Sequence, residues 1–523
     1  MQRLRAAILG FGILNAALYS GLLPLWEGFD EPAHYGYVES LWQTGRLPIL
    51  GHTTFPRDVL ASFRFAPGSY LMHRWRPETM TYEEWYGLPQ PRRAELRASL
   101  DAIRPDPRAG AETNYEAHHP PLAYLPLAAI DRVITAYPIT VRVLALRLFA
   151  ATSSVILLFF GAIKLCRELH MAEGFTNALL CTVFCAQMFY ASAAHVANDW
   201  LAIPLAVWCF AAIAAYVNKP SERKCVSAGA WLAAGLLTKA YFLAIAAWFA
   251  GIAVVMIWRR GVRPRPVLLG FFMMVAIAAP WYLRNVAVYG NVSGTYEAFS
   301  GVGLKQAVAA IPHVDWPAAA AALARASLWM GNNSGTSFSR ATLYLMLILL
   351  ALGVAAWAAR SNLISRAEKA VAAGVGVYLL AIAYAVCSTF ACSACSYREA
   401  SPWYTQVLLV PVLALAFLGM SRWRSAGTIA ACITLLLWGW VFIASWVVKL
   451  FPLYSGAGAA PMHVRDIWDW YMHRAAGKAG AFSLTALAPA HILYAGLAIS
   501  VGWTIALAAA VIGGLRNSEG EVR

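Results

Sequence analysis

Along this chain the apolar positions neither alternate with polar ones, as in a half-buried strand, nor keep to one face, as in a surface helix. They fall in long runs instead. The runs cover approximately 6–26, 120–136, 142–166, 173–193, 199–217, 226–238, 240–258, 266–288, 340–360, 369–390, 403–420, 425–449 and 490–515. About 20 apolar residues wound as a helix cross the ~30 Å of a bilayer's hydrocarbon, and a helix satisfies its own backbone polar groups there. The pattern predicts an all-α fold: a polytopic transmembrane helical bundle of about 12 crossings plus interfacial helices. The segment 120–136, interrupted by Pro120, Pro121 and Pro126, reads as a partly embedded helix. The pair 226–238 and 240–258 reads as a hairpin turning near Thr238-Lys239, its arms short for full spans.

Polar positions gather between the runs at 27–119, 194–198, 289–339, 391–402 and 450–489. The first of these loops is much the largest. It is expected to form short helices lying on the membrane, the amphipathic run His34–Trp42 among them. No repeat, low-complexity tract or separable soluble domain interrupts the pattern, and the whole chain reads as one embedded unit.

Composition strengthens this reading. Of 523 residues, 60% are hydrophobic and 13% charged, and mean hydropathy is +0.57; a soluble domain carries about 25% charged residues. A net charge of +15 would point to nucleic acid in a soluble protein. Here the basic residues sit in short loops: Arg3 and Arg5, Lys164 and Arg167, Lys219 to Lys224, Arg259 to Arg265, Arg360 to Lys369, Arg422 and Arg424. Such loops face the cytoplasm and meet anionic lipid headgroups, so membrane lipids are expected partners and nucleic acid is not. Both termini then lie inside and the large polar loops outside. Met1–Ser20 runs into an apolar segment that reads as a first span, not as a cleavable signal. Six of the nine cysteines lie in or beside apolar runs, where they act as small hydrophobes. Cys392 and Cys395 are spaced C-x-x-C in an outer loop, and a disulfide or a weak metal pair both fit.

Chemistry concentrates on the outer side. Asp30-Glu31 follows the first span within Trp26-Glu27-Gly28-Phe29-Asp30-Glu31-Pro32-Ala33-His34-Tyr35. Two carboxylates at a membrane boundary need a partner, a cation or a proton. General-base catalysis, a divalent cation and a plain capping turn all remain open. His118-His119 precede Pro120-Pro121, which hold them at the membrane surface; metal, phosphate and solvated readings stand together. Asn198-Asp199 opens a span and could act or merely cap it. Lys239 sits in the hairpin turn, a charge at membrane depth suited to a phosphate. Arg284, in Pro280-Trp281-Tyr282-Leu283-Arg284-Asn285, suits a phosphate or diphosphate, and Tyr397-Arg398 adds another arginine on that side. No phosphate-cradling glycine loop, nucleotide fingerprint or nucleophile elbow is present.

The order of these motifs resembles the GT-C fold glycosyltransferases that use lipid carriers, among them protein O-mannosyltransferases and aminoarabinose transferases acting on lipid A. The matching elements are Asp30 to Tyr35, His118-His119-Pro120-Pro121-Leu122, Asn198-Asp199, Gly235-Leu236-Leu237-Thr238-Lys239, and Pro280 to Asn285 with Tyr289-Gly290-Asn291. They cover roughly 1–300, the family-like membrane module; 301–523 would supply further helices of the same unit. The resemblance implies transfer of a sugar from a polyprenyl phosphate or diphosphate to a lipid, glycan or protein acceptor outside the bacterial inner (plasma) membrane. It makes Asp30 the base or a metal-binding carboxylate, oriented by Glu31. Lys239 and Arg284 would hold the lipid phosphate, and His34, His118, His119, Asn198, Asp199 and Asn285 would line the substrate site; Tyr397 and Arg398, beyond the reach of the resemblance, are added to that site from their place in the loop 391–402, where an internal Arg398-Glu399 pair is the plain alternative. The resemblance names no certain cofactor and leaves dependence on a divalent cation open. Two other classes compete. A secondary transporter or lipid flippase would favour inverted repeats, and a surface-polysaccharide polymerase would carry its large loop late in the chain.

Overall fold

The protein's structure, a computed structural model, describes residues 2–106, 108–393, 401–456, 464–474 and 484–520. Among the described residues ten helices are long and apolar enough to cross a membrane, and two bent helix pairs raise the count to as many as 12. It is an all-α, multi-pass integral membrane protein. The expected spans appear at Gln2–Leu22, Ile139–Glu168, Asp199–Asn218, Phe242–Arg260, Pro264–Tyr289, Arg340–Ala359, Arg366–Cys392 and Ala490–Gly520, among others.

The structure departs from the expected pattern in three places. The apolar run 173–193 is broken into Glu173–Phe184 and Gln187–Ala193 at an angle of 57°. The stretch 289–339, read as a loop, holds a second bent pair, Leu304–His313 and Trp316–Leu328; Pro312 and Pro317 divide its alanine-rich sequence into pieces too short to register as one run. The segment Glu31–Thr44 does not lie on a membrane surface. It is buried from Glu31 through Glu39 and forms part of the core of a lobe built largely from the loop 27–119, called the outer lobe after the side expected for that loop. That lobe also carries a two-stranded antiparallel ribbon, Thr54–Pro56 with Ala109–Thr113, whose strands are too short to leave a period in the sequence.

Without water between helices, association in lipid relies on close van der Waals packing. Helices Glu222–Leu236 and Pro264–Tyr289 meet at Gly229 and Gly270, where a Cβ on Gly229 would stand 2.0 Å from the Gly270 carbonyl oxygen. The basic loops are tied to one another at one end of the bundle: Arg5 reaches Glu173 at 3.4 Å, Arg265 reaches Glu222 at 3.3 Å, and Arg422 pairs with Glu368. Glu31 follows the turn after Gln2–Leu22, Asp199 begins Asp199–Asn218, Lys239 lies in the turn between Glu222–Leu236 and Phe242–Arg260, and Arg284 stands near the end of Pro264–Tyr289.

Candidate functional site

The turn 23–30 joins the first span to the buried helix Glu31–Thr44. Trp26 and Asp30 both have positive φ, 67° and 53°, a conformation that non-glycine residues adopt only where surrounding contacts hold it. Gly28 lets the turn close: a Cβ there would lie 2.5 Å from the His195 side chain. Asp30 stands at the N-cap of its helix yet makes no side-chain capping bond. The capping-turn alternative is therefore set aside, and its carboxylate is left for other work.

That half-buried carboxylate takes a 2.8 Å hydrogen bond from the Tyr115 hydroxyl. Burial pushes its pKa up toward neutrality, with the negative charge of Glu116 adding to the effect and the Tyr115 hydroxyl and Lys239 working against it. Glu31 faces elsewhere. Its carboxylate is wholly buried, held by Arg147 Nε at 2.7 Å, by Arg147 Nη2 and by the Val196 amide at 3.0 Å. The expected catalytic pair is thus split, and Glu31 serves as an anchor of the turn. Arg147 in turn donates to the carbonyls of Ser20, Leu23 and Pro24, so one guanidinium fixes the whole end of the first span.

Around Asp30 the residues 115–119 fold back into the cleft. Glu116, His118 and His119 bring three potential ligand atoms within 4.8 Å of one another. His119 Nε2 lies 2.5 Å from Glu116 Oε2, and its buried Nδ1 has no hydrogen-bond partner. His118 Nδ1 bonds the Tyr115 carbonyl at 2.8 Å, which leaves Nε2 for other contacts. Burial drives both histidines down to about 3, so they are neutral imidazoles, the form that ligates metal. His34 stacks 5.8 Å from His119 and bonds the Tyr124 hydroxyl at 2.8 Å. One carboxylate and two imidazoles with an orphaned ring nitrogen suit a Zn²⁺-like or Mn²⁺-like cation.

Asp199 begins its helix, but the side chain is spent on Lys239, whose Nζ lies 2.8 and 2.7 Å from its two oxygens. The ammonium also sits 5.4 Å from the Tyr241 ring centroid and 5.2 Å from that of Tyr404. With three N–H donors, Lys239 retains one after serving Asp199. Asn198 is fully buried, and both its amide atoms lack a partner. Arg284 donates to the Pro48 carbonyl at 2.6 Å, lies 4.7 Å from the Trp281 ring centroid, and keeps a buried Nη1 without a partner. It stands at the rim, electrostatically close to Tyr37, whose hydroxyl bonds the His119 carbonyl at 3.0 Å. Asn285 holds the following turn through the Val292 and Ser293 carbonyls. Tyr397, Arg398 and Cys395 lie outside the described residues.

The structure brings together Asp30, His34, His118, His119, Asp199 and Lys239, turns Glu31 away, and leaves Arg284 and Asn285 at the periphery. Reasoning from sequence missed Tyr115, Glu116, Arg147 and the Lys239-facing Tyr241 and Tyr404. Two of these carried a signal. Glu116 precedes the histidines at metal-ligand spacing, and Arg147 is a charge inside an apolar run, which marks a partner by default. A cavity of about 810 Å³ opens elsewhere in the outer lobe, between Arg57, Asp58, Arg64, Arg104 and Glu112; the Asp30 cleft is defined by its polar groups instead.

No known family model matches the sequence, and no curated relative does. Among solved structures the chain is similar to ArnT from Cupriavidus metallidurans. With its apo form it shares 13% identity over 83% of this chain and 72% of that one, at a TM-score of 0.41. With the form bound to undecaprenyl phosphate it shares 16% identity over 92% and 76%, again at 0.41. It is also similar to the Archaeoglobus fulgidus oligosaccharyltransferase in complex with Zn and sulfate, at 14% identity over 91% of this chain and 57% of that one, with a TM-score of 0.43. What the cleft does is decided by this chain's own side chains.

Proposed function

We propose that this protein is a membrane glycosyltransferase that moves a sugar from a polyprenyl phosphate or diphosphate to an acceptor on the outer side of a bacterial plasma membrane, with both termini cytoplasmic. The observation that carries this reading is Asp30: a strained, half-buried carboxylate that caps nothing, holds one hydroxyl, and lies beside a cluster of neutral imidazoles and a lysine. A group in that condition suits a general base.

In the proposed step an acceptor hydroxyl or amine attacks the sugar's anomeric carbon and gives its proton to the Asp30 carboxylate. The bond from that carbon to the phosphate oxygen breaks, and the electron pair leaves with the lipid phosphate. The remaining N–H of Lys239 and the unpartnered Nη1 of Arg284 are the donors available for the charge that develops. Tyr241 and Tyr404 hold the ammonium in place. Glu31 and Arg147 act as positioning residues by fixing the turn that carries Asp30. Glu116, His118 and His119 would hold a divalent cation. When bound there it would supply Lewis-acid charge to a phosphate oxygen. The motif order that resembles the GT-C transferases supports the choice of a lipid-linked donor. A transporter would be expected to gather its polar groups at the middle of the bundle, whereas these lie at helix ends.

The test is release of free carrier from a polyprenyl-phosphate sugar by the purified protein in lipid. Asp30→Asn is expected to reduce release by roughly 10²- to 10⁴-fold while leaving the unfolding midpoint in place. Full turnover in that variant would remove Asp30 as the base, and no turnover by the wild-type chain would remove the transferase reading.

A further inference from the structure

Trp75 ends the short helix Tyr70–Trp75 in the outer lobe, in the stretch 50–110 that no motif of the resemblance covers. Its surroundings are unlike those of a stray surface aromatic. The ring packs against Phe63 at 6.0 Å, Phe55 at 6.4 Å and Tyr115 at 6.0 Å between centroids, and the Arg76 guanidinium lies 4.3 Å from its centroid. Even so, 42% of the residue is open to solvent. A tryptophan fixed on several sides and open on the rest is a rigid stacking surface with little entropy left to lose.

Its position connects it to the chemistry. Tyr115, which touches Trp75 with its ring, reaches Asp30 with its hydroxyl; one tyrosine side chain separates the open indole from the catalytic carboxylate. Tyr115 feels the charge of Arg76 on this side and that of Asp30 and Glu116 on the other. Of the phosphate-holding candidates, Lys239 lies in the turn between Glu222–Leu236 and Phe242–Arg260 and Arg284 in the helix Pro264–Tyr289, whereas Trp75 and Arg76 belong to the outer lobe. Arg76 adds a second observation. It is 5% exposed, gives Nη1 to Glu112, and keeps Nε and Nη2 buried without any hydrogen-bond partner. Buried guanidinium donors left unsatisfied are costly, and a ligand rich in oxygen would relieve them. Glu112 in turn lines the 810 Å³ cavity with Arg57, Arg64 and Arg104, so polar surface continues beyond the indole.

We infer that Trp75 and Arg76 form an acceptor subsite that stacks one sugar ring of a carbohydrate-bearing acceptor and hydrogen-bonds its oxygens, placing the next hydroxyl at Asp30. This rests on the transferase reading for its catalytic end and names the acceptor class as a glycan. The indole offers its face to the C–H side of a pyranose, and Arg76 supplies the donors.

Saturation-transfer NMR with maltotriose and chitotriose as probes, on the full-length protein in lipid nanodiscs, tests it without needing turnover. The expected result is transfer to ring protons in the wild-type chain, retained by Trp75→Tyr and reduced at least about tenfold in apparent affinity by Trp75→Ala. Loss in Arg76→Met with an unchanged unfolding midpoint would support the second half of the subsite. Absence of transfer from the wild-type chain, or equal transfer from Trp75→Ala, would overturn the inference and leave the exposed ring as a contact with lipid headgroups. Carrier release measured on the same preparations keeps the two readings apart, since release can persist when sugar binding fails.

Discussion

On one side of the turn after the first span, the Glu31 carboxylate takes two bonds from Arg147 and one from the Val196 amide; on the other, one residue earlier, Asp30 takes a single bond from Tyr115. Glu27, three residues before Asp30, takes a third course: it accepts hydrogen bonds from the hydroxyls of Tyr82 at 2.8 Å, Tyr454 at 3.0 Å and Ser334, with no cation among these partners. Three carboxylates within five residues thus divide into a saturated ion pair, a hydroxyl-bound acid and an under-satisfied one. Saturation of its charge makes an anchor, because two bonds from a buried guanidinium already balance the carboxylate. Under-satisfaction makes a reagent, because the group still has a proton or a ligand to gain.

The sharpest way to break this contrast is to empty the saturated side. Arg147→Met leaves Glu31 buried and unpaired, at a cost of about 3–5 kcal/mol, and is expected to abolish the folded monomer in size-exclusion and thermal unfolding runs. The double variant with Glu31→Gln should recover most of that loss. A stable single variant would mean that the pair is not the anchor.

The hydroxyl-bound acid predicts the pH dependence of stability. Burial raises the Glu27 carboxyl from an ordinary 4.5 to about 7 in spite of its three hydroxyl partners. Because the folded value is the higher one, its favourable contribution is complete below about 4.5 and is lost as pH rises through about 7. The loss is on the order of 3 kcal/mol, so the unfolding midpoint should fall from pH 5 to pH 8. Glu27→Gln should flatten that slope, and an unaltered slope would rule Glu27 out as its source.

Smaller effects test the under-satisfied side. His118→Ala should weaken Zn²⁺ binding by about tenfold or more, read by competition against a chelating dye; equal affinity would remove His118 from the ligand set. Tyr115→Phe removes a hydrogen bond that holds the Asp30 pKa down, worth about 1 kcal/mol. Activity that depends on ionised Asp30 rises with pH, and in this variant the rising limb should move to higher pH by less than about one unit. A limb that stays in place would separate Tyr115 from the base.

Much of this arrangement was legible before folding. The spans, the Asp30-Glu31 turn, the twin histidines, Asn198-Asp199 and Lys239 all stand out because charged or polar residues interrupt apolar runs, and lipid makes such interruptions expensive. The helical pair 304–328 and the ribbon 54–56 with 109–113 did not stand out, since their pieces are too short to leave a period. The role of Glu31 was also hidden. Its partner Arg147 lies 116 residues away, and adjacency to Asp30 suggested a shared task that the opposite orientations of the two side chains do not allow.

By itself, then, the sequence determined that this chain crosses a membrane many times as helices, and where polar residues interrupt those apolar runs, because hydrophobic transfer and charge placement act residue by residue along the chain. Only the tertiary structure decided which carboxylate is anchored and which is left open, and which aromatic ring lies beside it. Those choices depend on partners far apart in the chain, and distance in space is what sets a hydrogen bond or an ion pair.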